Sequence, residues 1–225
     1  MVESEEGAAA AAPGNRITAG PGASSPPPAS WPIWRGPLAL ILISGLLELG
    51  GAPLRALLRY ERVAILEQGE IWRLLTGSLV HLGLYHWFLN ALGLVVLALL
   101  CPEPLRWAEW WRRWLFLSLA MALGLLIAEP GLDNYVGMSG AIHGLFLLGL
   151  LPQARRGDLI AIGCLVFLAG KLAWEWVAGA PVSDAEAIGG YVVTESHAFG
   201  GLAALAYALI FRTVAAPQHR TPPPA

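Results

Sequence analysis

The sequence predicts an all-α polytopic membrane protein. Three observations carry that expectation: 56% of the 225 residues are hydrophobic, only 13% are charged, and the apolar residues gather in long stretches. A soluble domain carries about 25% charged residues, so this chain lacks the charge to cover a water-facing surface. A bilayer crossing needs roughly 20 consecutive apolar residues, and several stretches approach that length.

Residues 1–35 are mostly Ala, Gly, Pro and Ser with a few acids (Glu3, Glu5, Glu6). They lack the basic start and continuous apolar core of a signal peptide and read as a disordered tail. Residues 36–213 form the transmembrane domain, and the proline-rich 214–225 reads as a second tail. Within the domain six spans are expected. The first runs from Pro37 to about Leu49, where Glu48 and Gly50-Gly51-Ala52-Pro53 blur its end. The second is Leu84–Leu100, closed by Cys101-Pro102. The third, Trp110–Ala128, stops at Glu129-Pro130-Gly131. The fourth starts at Ser139 and ends before Pro152; the fifth covers Asp158–Ala178 and the sixth Ser196–Arg212. Two of these are short for a full crossing, which fits helices that begin inside a cavity rather than at the lipid surface.

Six spans put both termini on one side. Nine arginines (16, 35, 106, 112, 113, 155, 156, 212 and 220) fall on that side, against Arg55, Arg59, Arg62 and Arg73 on the other. The bias places the termini in the cytoplasm. The exceptions all lie in the first loop together with Glu61, Glu67 and Glu70, so that loop reads as an ordered element in the membrane interface.

A net charge of −2 with no basic block argues against nucleic acid as a partner. Cys101 and Cys164 lack metal-ligand spacing and read as packing residues. Neither a metal nor a cofactor is expected.

Chemistry concentrates at one end of three spans. Ser139 opens span four inside Gly137-Met138-Ser139-Gly140, and His197 opens span six. His81 and His86 stand at the start of span two. A serine at a helix start has free backbone N–H groups beside it that can stabilise an oxyanion. Gly137 permits a tight turn, and Gly140 and Gly200 permit close backbone approach. Small residues around a serine are also an ordinary packing device in membrane helices. A histidine within reach is the expected general base for a serine; the alternative is a histidine satisfied by a backbone carbonyl. His86 and Asn90, four apart on one helical face, are either oxyanion donors or a polar pair joining two helices. Metal binding by His81, His86 and His197 is disfavoured, because no carboxylate or cysteine sits at ligand spacing.

These residues, in this order, resemble the rhomboid family of intramembrane serine proteases. The resemblance covers about residues 38–212: Trp72-Arg73 in the first loop, His81, His86 and Asn90 in the spacing HxxxxHxxxN, Gly137-Met138-Ser139-Gly140, and His197 followed by Gly200. It implies a six-helix bundle with a membrane-embedded first loop. It further implies Ser139 as nucleophile and His197 as base without an aspartate, and an oxyanion hole from His86, Asn90 and the Ser139 N–H. His81, Gly137, Gly140 and Gly200 would support the site, and Trp72 and Arg73 the first loop. An aromatic residue one turn after the serine often packs on the family's catalytic histidine; His143 takes that position here.

Within the family, the compact size, the stretch Tyr135–Gly144 and Lys171-Leu172-Ala173-Trp174-Glu175 are similar to the rhombosortase subgroup. That likeness implies cleavage of exported surface proteins at a C-terminal sorting tail made of a Gly-Gly pair, an apolar helix and basic residues. It also implies a bacterial inner membrane with a site open to the periplasm. Lys171 and Glu175, four apart in an apolar helix, are either a mutually neutralising pair or, with Trp174, a gate at the substrate entrance. Two rival readings are a rhomboid-like protein that binds transmembrane clients without cleaving them and a small transporter. The internal repeats expected of a transporter are not evident.

Overall fold

The computed structural model describes residues 31–181 and 185–211. The expected tails at 1–30 and 214–225, and Arg212 at the expected end of the last span, lie outside the described residues. Helix α1 (Trp31–Glu48) already begins within the segment read as tail. It is followed by α2 (Gly51–Leu58), a two-residue strand β1 (Tyr60–Glu61), α3 (Arg62–Glu67) and α4 (Arg73–Thr76). Then come α5 (Leu84–Leu100), α6 (Trp107–Ala128), strand β2 (Asn134–Tyr135), α7 (Ser139–Arg155), α8 (Leu159–Ala178), α9 (Ala185–Ile188) and α10 (Glu195–Phe211).

By length and composition α6 and α8 can cross a membrane. The pair α1 and α2, bent by 118° at the glycines between them, makes a third if taken as one broken span. Helices α5 and α10 are apolar but have 17 residues each. Such a helix reaches about 25 Å, short of the ~30 Å hydrocarbon core.

Span boundaries follow local chemistry. Asp158 caps α8, its carboxylate accepting from the N–H groups of Ile160 and Ala161 at 2.9 and 3.2 Å. Such a cap satisfies two of the four orphan donors of a helix start. Besides the earlier starts of α1 and α6, the end of α7 departs from the sequence expectation: the helix runs through Pro152 to Arg155 rather than stopping before it. Proline removes one helical hydrogen bond, and here the loss falls in the last turn. Gln153 supports that turn by donating to the carbonyls of Gly149 and Leu100.

The helix α7 is the centre of the bundle, packed against α5, α6, α8 and α10. Its Ala141, Ile142, Leu145 and Leu148 share one core with Leu94 and Leu97 of α5, Leu117 of α6 and Ala204 and Tyr207 of α10. The α7–α10 crossing is unusually close. A Cβ at Gly200 would collide with the Gly140 carbonyl, and one at Gly144 would lie 2.6 Å from the Gly200 carbonyl oxygen. Only hydrogen side chains allow the two backbones to touch, as small residues do at membrane helix contacts. The outer faces remain apolar and exposed: Leu42 and Leu46 on α1, Phe88 and Leu92 on α5, Val166 and Phe167 on α8, Leu205 and Leu209 on α10. A soluble protein rarely exposes apolar surface on this scale.

The first loop is ordered, as its charges foreshadow. Arg73 is buried and donates to the carbonyls of Ala56 and Arg59 at 2.8 and 2.9 Å while pairing with Glu70. Arg62 donates to the Leu126 carbonyl at 2.7 Å, and Arg55 to the carbonyls of His81 and Leu82. Arg62 and Arg73 thereby serve carbonyls at helix ends and Arg55 those of the loop before α5, while Arg59 pairs with Glu61. Trp72 is half exposed on the loop's outer side. β1 pairs antiparallel with β2, Tyr60 opposite Tyr135, and so ties the first loop to the segment that leads into α7.

Candidate active site

Three helix starts converge on one site. Ser139 is the first residue of α7, His197 lies in the first turn of α10, and His86 in the first turn of α5. The glycine-lined crossing brings Ser139 and His197, 58 positions apart, into contact: Ser139 Oγ lies 3.0 Å from His197 Nε2. His197 is 5% exposed.

The turn into Ser139 is built around Gly137. Its φ of +115° is a conformation that side-chain-bearing residues rarely adopt. A Cβ there would also lie 2.8 and 2.9 Å from His86 Cε1 and Nε2. The bare backbone thus lets the His86 ring edge lie beside the start of α7. His86 Nδ1 accepts from the Leu82 N–H at 3.3 Å, which leaves the proton on Nε2, the nitrogen facing Gly137. Met138 at the N-cap offers no side-chain cap, so no cap covers the Ser139 N–H at the start of α7.

Tyr135 holds the turn from behind, its hydroxyl donating to the Gly137 carbonyl. Burial pushes this phenol up to about 12, so it stays a donor at neutral pH. Nothing in the sequence marked Tyr135 for that task, because the bond depends on a local turn that composition does not reveal.

Asn90 shares the buried face of α5 with His86, as their spacing predicts, and donates to the His86 carbonyl at 2.9 Å. His81 is fully buried and meets the His86 ring edge-on at 5.1 Å. Its backbone N–H donates to Glu48 at 2.8 Å. In the sequence Glu48 only blurred the end of span one; the structure makes it the tether of the α5 entry loop.

The most consequential contacts come from α8. Glu175 is 2% exposed, and its Oε2 lies 2.8 Å from His197 Nδ1. Its Oε1 accepts from Lys171 Nζ at 2.7 Å. Lys171 also reaches His143 Nε2 at 3.0 Å, and His143 Nδ1 lies 2.7 Å from the Ser139 carbonyl. The rings of His143 and His197 stack with centroids 4.3 Å apart and 19° between planes. His143 therefore occupies the position of the expected aromatic and packs on His197. Lys171, Trp174 and Glu175, grouped in the sequence as one substrate gate, differ in exposure and contacts. Glu175 faces inward to His197, Trp174 is 62% exposed on the outer side, and Lys171 lies between them. Charges are expensive in an apolar helix and mark function; that signal was present, but their partner could not be read from the chain.

Between α5, α7 and α8 lies a cavity of about 520 Å³, lined by polar His86, Asn90, Ser139 and Lys171 and by apolar residues such as Phe146 and Phe167. No group of three or more His, Cys, Asp and Glu side chains among the described residues is arranged to hold a metal ion. What the site offers is a hydroxyl on an imidazole, a carboxylate behind that imidazole, an uncapped helix start and an apolar cleft.

A family model described as the Rhomboid domain matches residues 68–214, well over half of the chain. A curated protein of Bacillus subtilis (strain 168) named "Putative rhomboid protease YdcA" is 33% identical over 92 residues, 41% of this chain and 46% of that protein. The chain thus matches about half the length of that relative.

Proposed function

Because the chain belongs to the rhomboid family, an integral multi-pass membrane family, we propose that it is an intramembrane serine endopeptidase. The observation that carries this reading is the 3.0 Å contact between Ser139 Oγ and His197 Nε2 at the edge of an apolar cavity. In the mechanism, Ser139 attacks the scissile carbonyl while His197 Nε2 takes its proton. The oxyanion is held by the Ser139 N–H, His86 Nε2–H and the second amide proton of Asn90. His197 then protonates the departing amine, and water resolves the acyl-enzyme by the same steps in reverse. Trp72 and Arg73 serve the first loop, and His81, Gly137, Gly140, His143 and Gly200 hold the geometry.

The proposed arrangement is a six-crossing bundle with cytoplasmic termini and a site open to the periplasmic side of a bacterial inner membrane. The substrate is a membrane protein with a C-terminal sorting helix, as in the rhombosortase subgroup. The Gly-Gly pair of such a tail lowers the cost of unwinding the substrate helix near the serine. The stretch 135–144 and the Lys171–Glu175 segment support the subgroup.

The test is co-expression with a tagged membrane protein ending in Gly-Gly, an apolar helix and basic residues, comparing wild type with S139A. Cleavage lost in S139A supports both protease and subgroup. Cleavage of a general single-span rhomboid substrate instead keeps the protease and removes the subgroup. A folded wild type that cleaves neither, and whose Ser139 does not react with a fluorophosphonate, leaves the client-binding reading.

A further inference from the structure

Resting on the protease reading, we infer that Glu175 is the positioning carboxylate of a Ser139–His197–Glu175 triad, carried on α8 and held in place by Lys171 and His143. The proton positions follow from the partners. The Ser139 carbonyl can only accept, so His143 Nδ1 bears the proton and its Nε2 is a bare acceptor. An ammonium can only donate, so Lys171 gives one proton to that Nε2 and another to Glu175 Oε1. Glu175 then has Oε2 left, 2.8 Å from His197 Nδ1.

A bare Nδ1 at that distance would set its lone pair against a carboxylate lone pair. Nδ1 is therefore protonated, and the Nε2 lone pair faces Ser139 Oγ, the tautomer a general base requires. Lys171 Nζ is 3.4 Å from the same Nδ1 and would favour the opposite tautomer if Glu175 were removed. The carboxylate thus decides between a competent and an incompetent base, and it also balances the imidazolium that forms as serine attacks. Lys171 neutralises Glu175 in a site with little water, where a lone charge is expensive.

The geometry further requires α8 to be docked for the triad to exist. Ala161, Leu168 and Glu175 are its buried residues, and most of its surface faces outward. Removal of α8 from α7 would take the carboxylate and the ammonium away from His197 together, leaving a serine–histidine pair alone.

The experiment uses the full-length protein in liposomes with a cleavable membrane substrate, fluorophosphonate labelling of Ser139, and 15N-histidine NMR for the tautomer. E175Q is expected to lower kcat by about 100-fold or more, with KM changed less than about threefold, since it does not touch substrate. Labelling should slow in parallel, and His197 should lose its pure Nδ1–H tautomer. E175D, which restores the charge, should recover part of kcat. The double variant K171M/E175L removes the pair without leaving a lone buried charge and should be as slow as E175Q. If either E175Q or the folded double variant cleaves within about threefold of wild type, or if His197 keeps its Nδ1–H signature in E175Q, the triad is overturned while the protease stands. If wild type neither labels nor cleaves, the protease reading falls and the triad with it.

Discussion

The α7–α10 crossing sets the distance between Ser139 and His197, and G200A is the smallest change that perturbs it. A methyl at this position would lie 2.6 Å from the carbonyl carbon of Gly140 and 3.2 Å from its Cα, and would strike the carbonyl oxygen itself. The obstacle is backbone, so no side-chain rotation relieves it. Restoring ordinary contacts near 3.5–4 Å requires the helices to part by at least about 1 Å, the shift the carbonyl carbon alone demands. Carried to the site, that shift takes Ser139 Oγ from 3.0 Å to about 4 Å from His197 Nε2, beyond hydrogen-bond range. A 1 Å misplacement costs about 100-fold in rate, and overpacking costs about 1–3 kcal/mol of stability. The assay is kcat/KM on a membrane substrate beside the rate of fluorophosphonate labelling, with thermal unfolding in detergent. G170A is the control, since a Cβ there meets nothing within 4 Å among the described residues, and it should leave activity unchanged. A G200A protein that labels and cleaves at the wild-type rate would refute the claim that the glycine contact sets the catalytic distance.

Further outcomes follow from single contacts. N90A should lower kcat by about 100- to 1,000-fold, the worth of one oxyanion donor, while S139A and H197A remove turnover. R73A should destabilise the first loop by about 3 kcal/mol, from two lost charge-assisted bonds to carbonyls, read as faster amide exchange at residues 51–61. Y135F should cost about 1–2 kcal/mol by leaving the Gly137 carbonyl unpaired. Tyr135 also sets an alkaline limit. Its folded value, about 12, exceeds the ordinary 10 because burial disfavours the phenolate. The cost of ionising it inside the fold, on the order of 2–3 kcal/mol, is therefore absent below pH 10 and builds up as pH rises towards 12. Denaturation at pH 8 and pH 11 should show wild type losing more stability than Y135F.

Much of the architecture was legible in the chain because bilayer burial demands long apolar runs with abrupt ends. The helix Leu84–Leu100 ends where Cys101-Pro102 closes the apolar run, and α8 fills the stretch expected from Asp158 to Ala178. The serine turn was legible because Gly137 answers a local backbone need, whereas Gly140 serves the contact with Ser196 of α10. Pro152 shows the limit: a breaker is tolerated when it falls in a last turn with Gln153 to support it.

The sequence by itself determined that the chain is helical, membrane-grade and equipped with a serine and histidines at helix starts, because periodicity, capping and backbone freedom are local properties. Only the tertiary structure decided which of those groups meet. Ser139 reaches His197 through a glycine-to-glycine crossing, and Glu175 reaches the far side of the same imidazole from α8. Those encounters join residues 22 and 58 positions apart, and no local rule specifies them. They arise because helices that share one core pack closely in one arrangement, and that packing brings the polar groups of α7, α8 and α10 within hydrogen-bond distance.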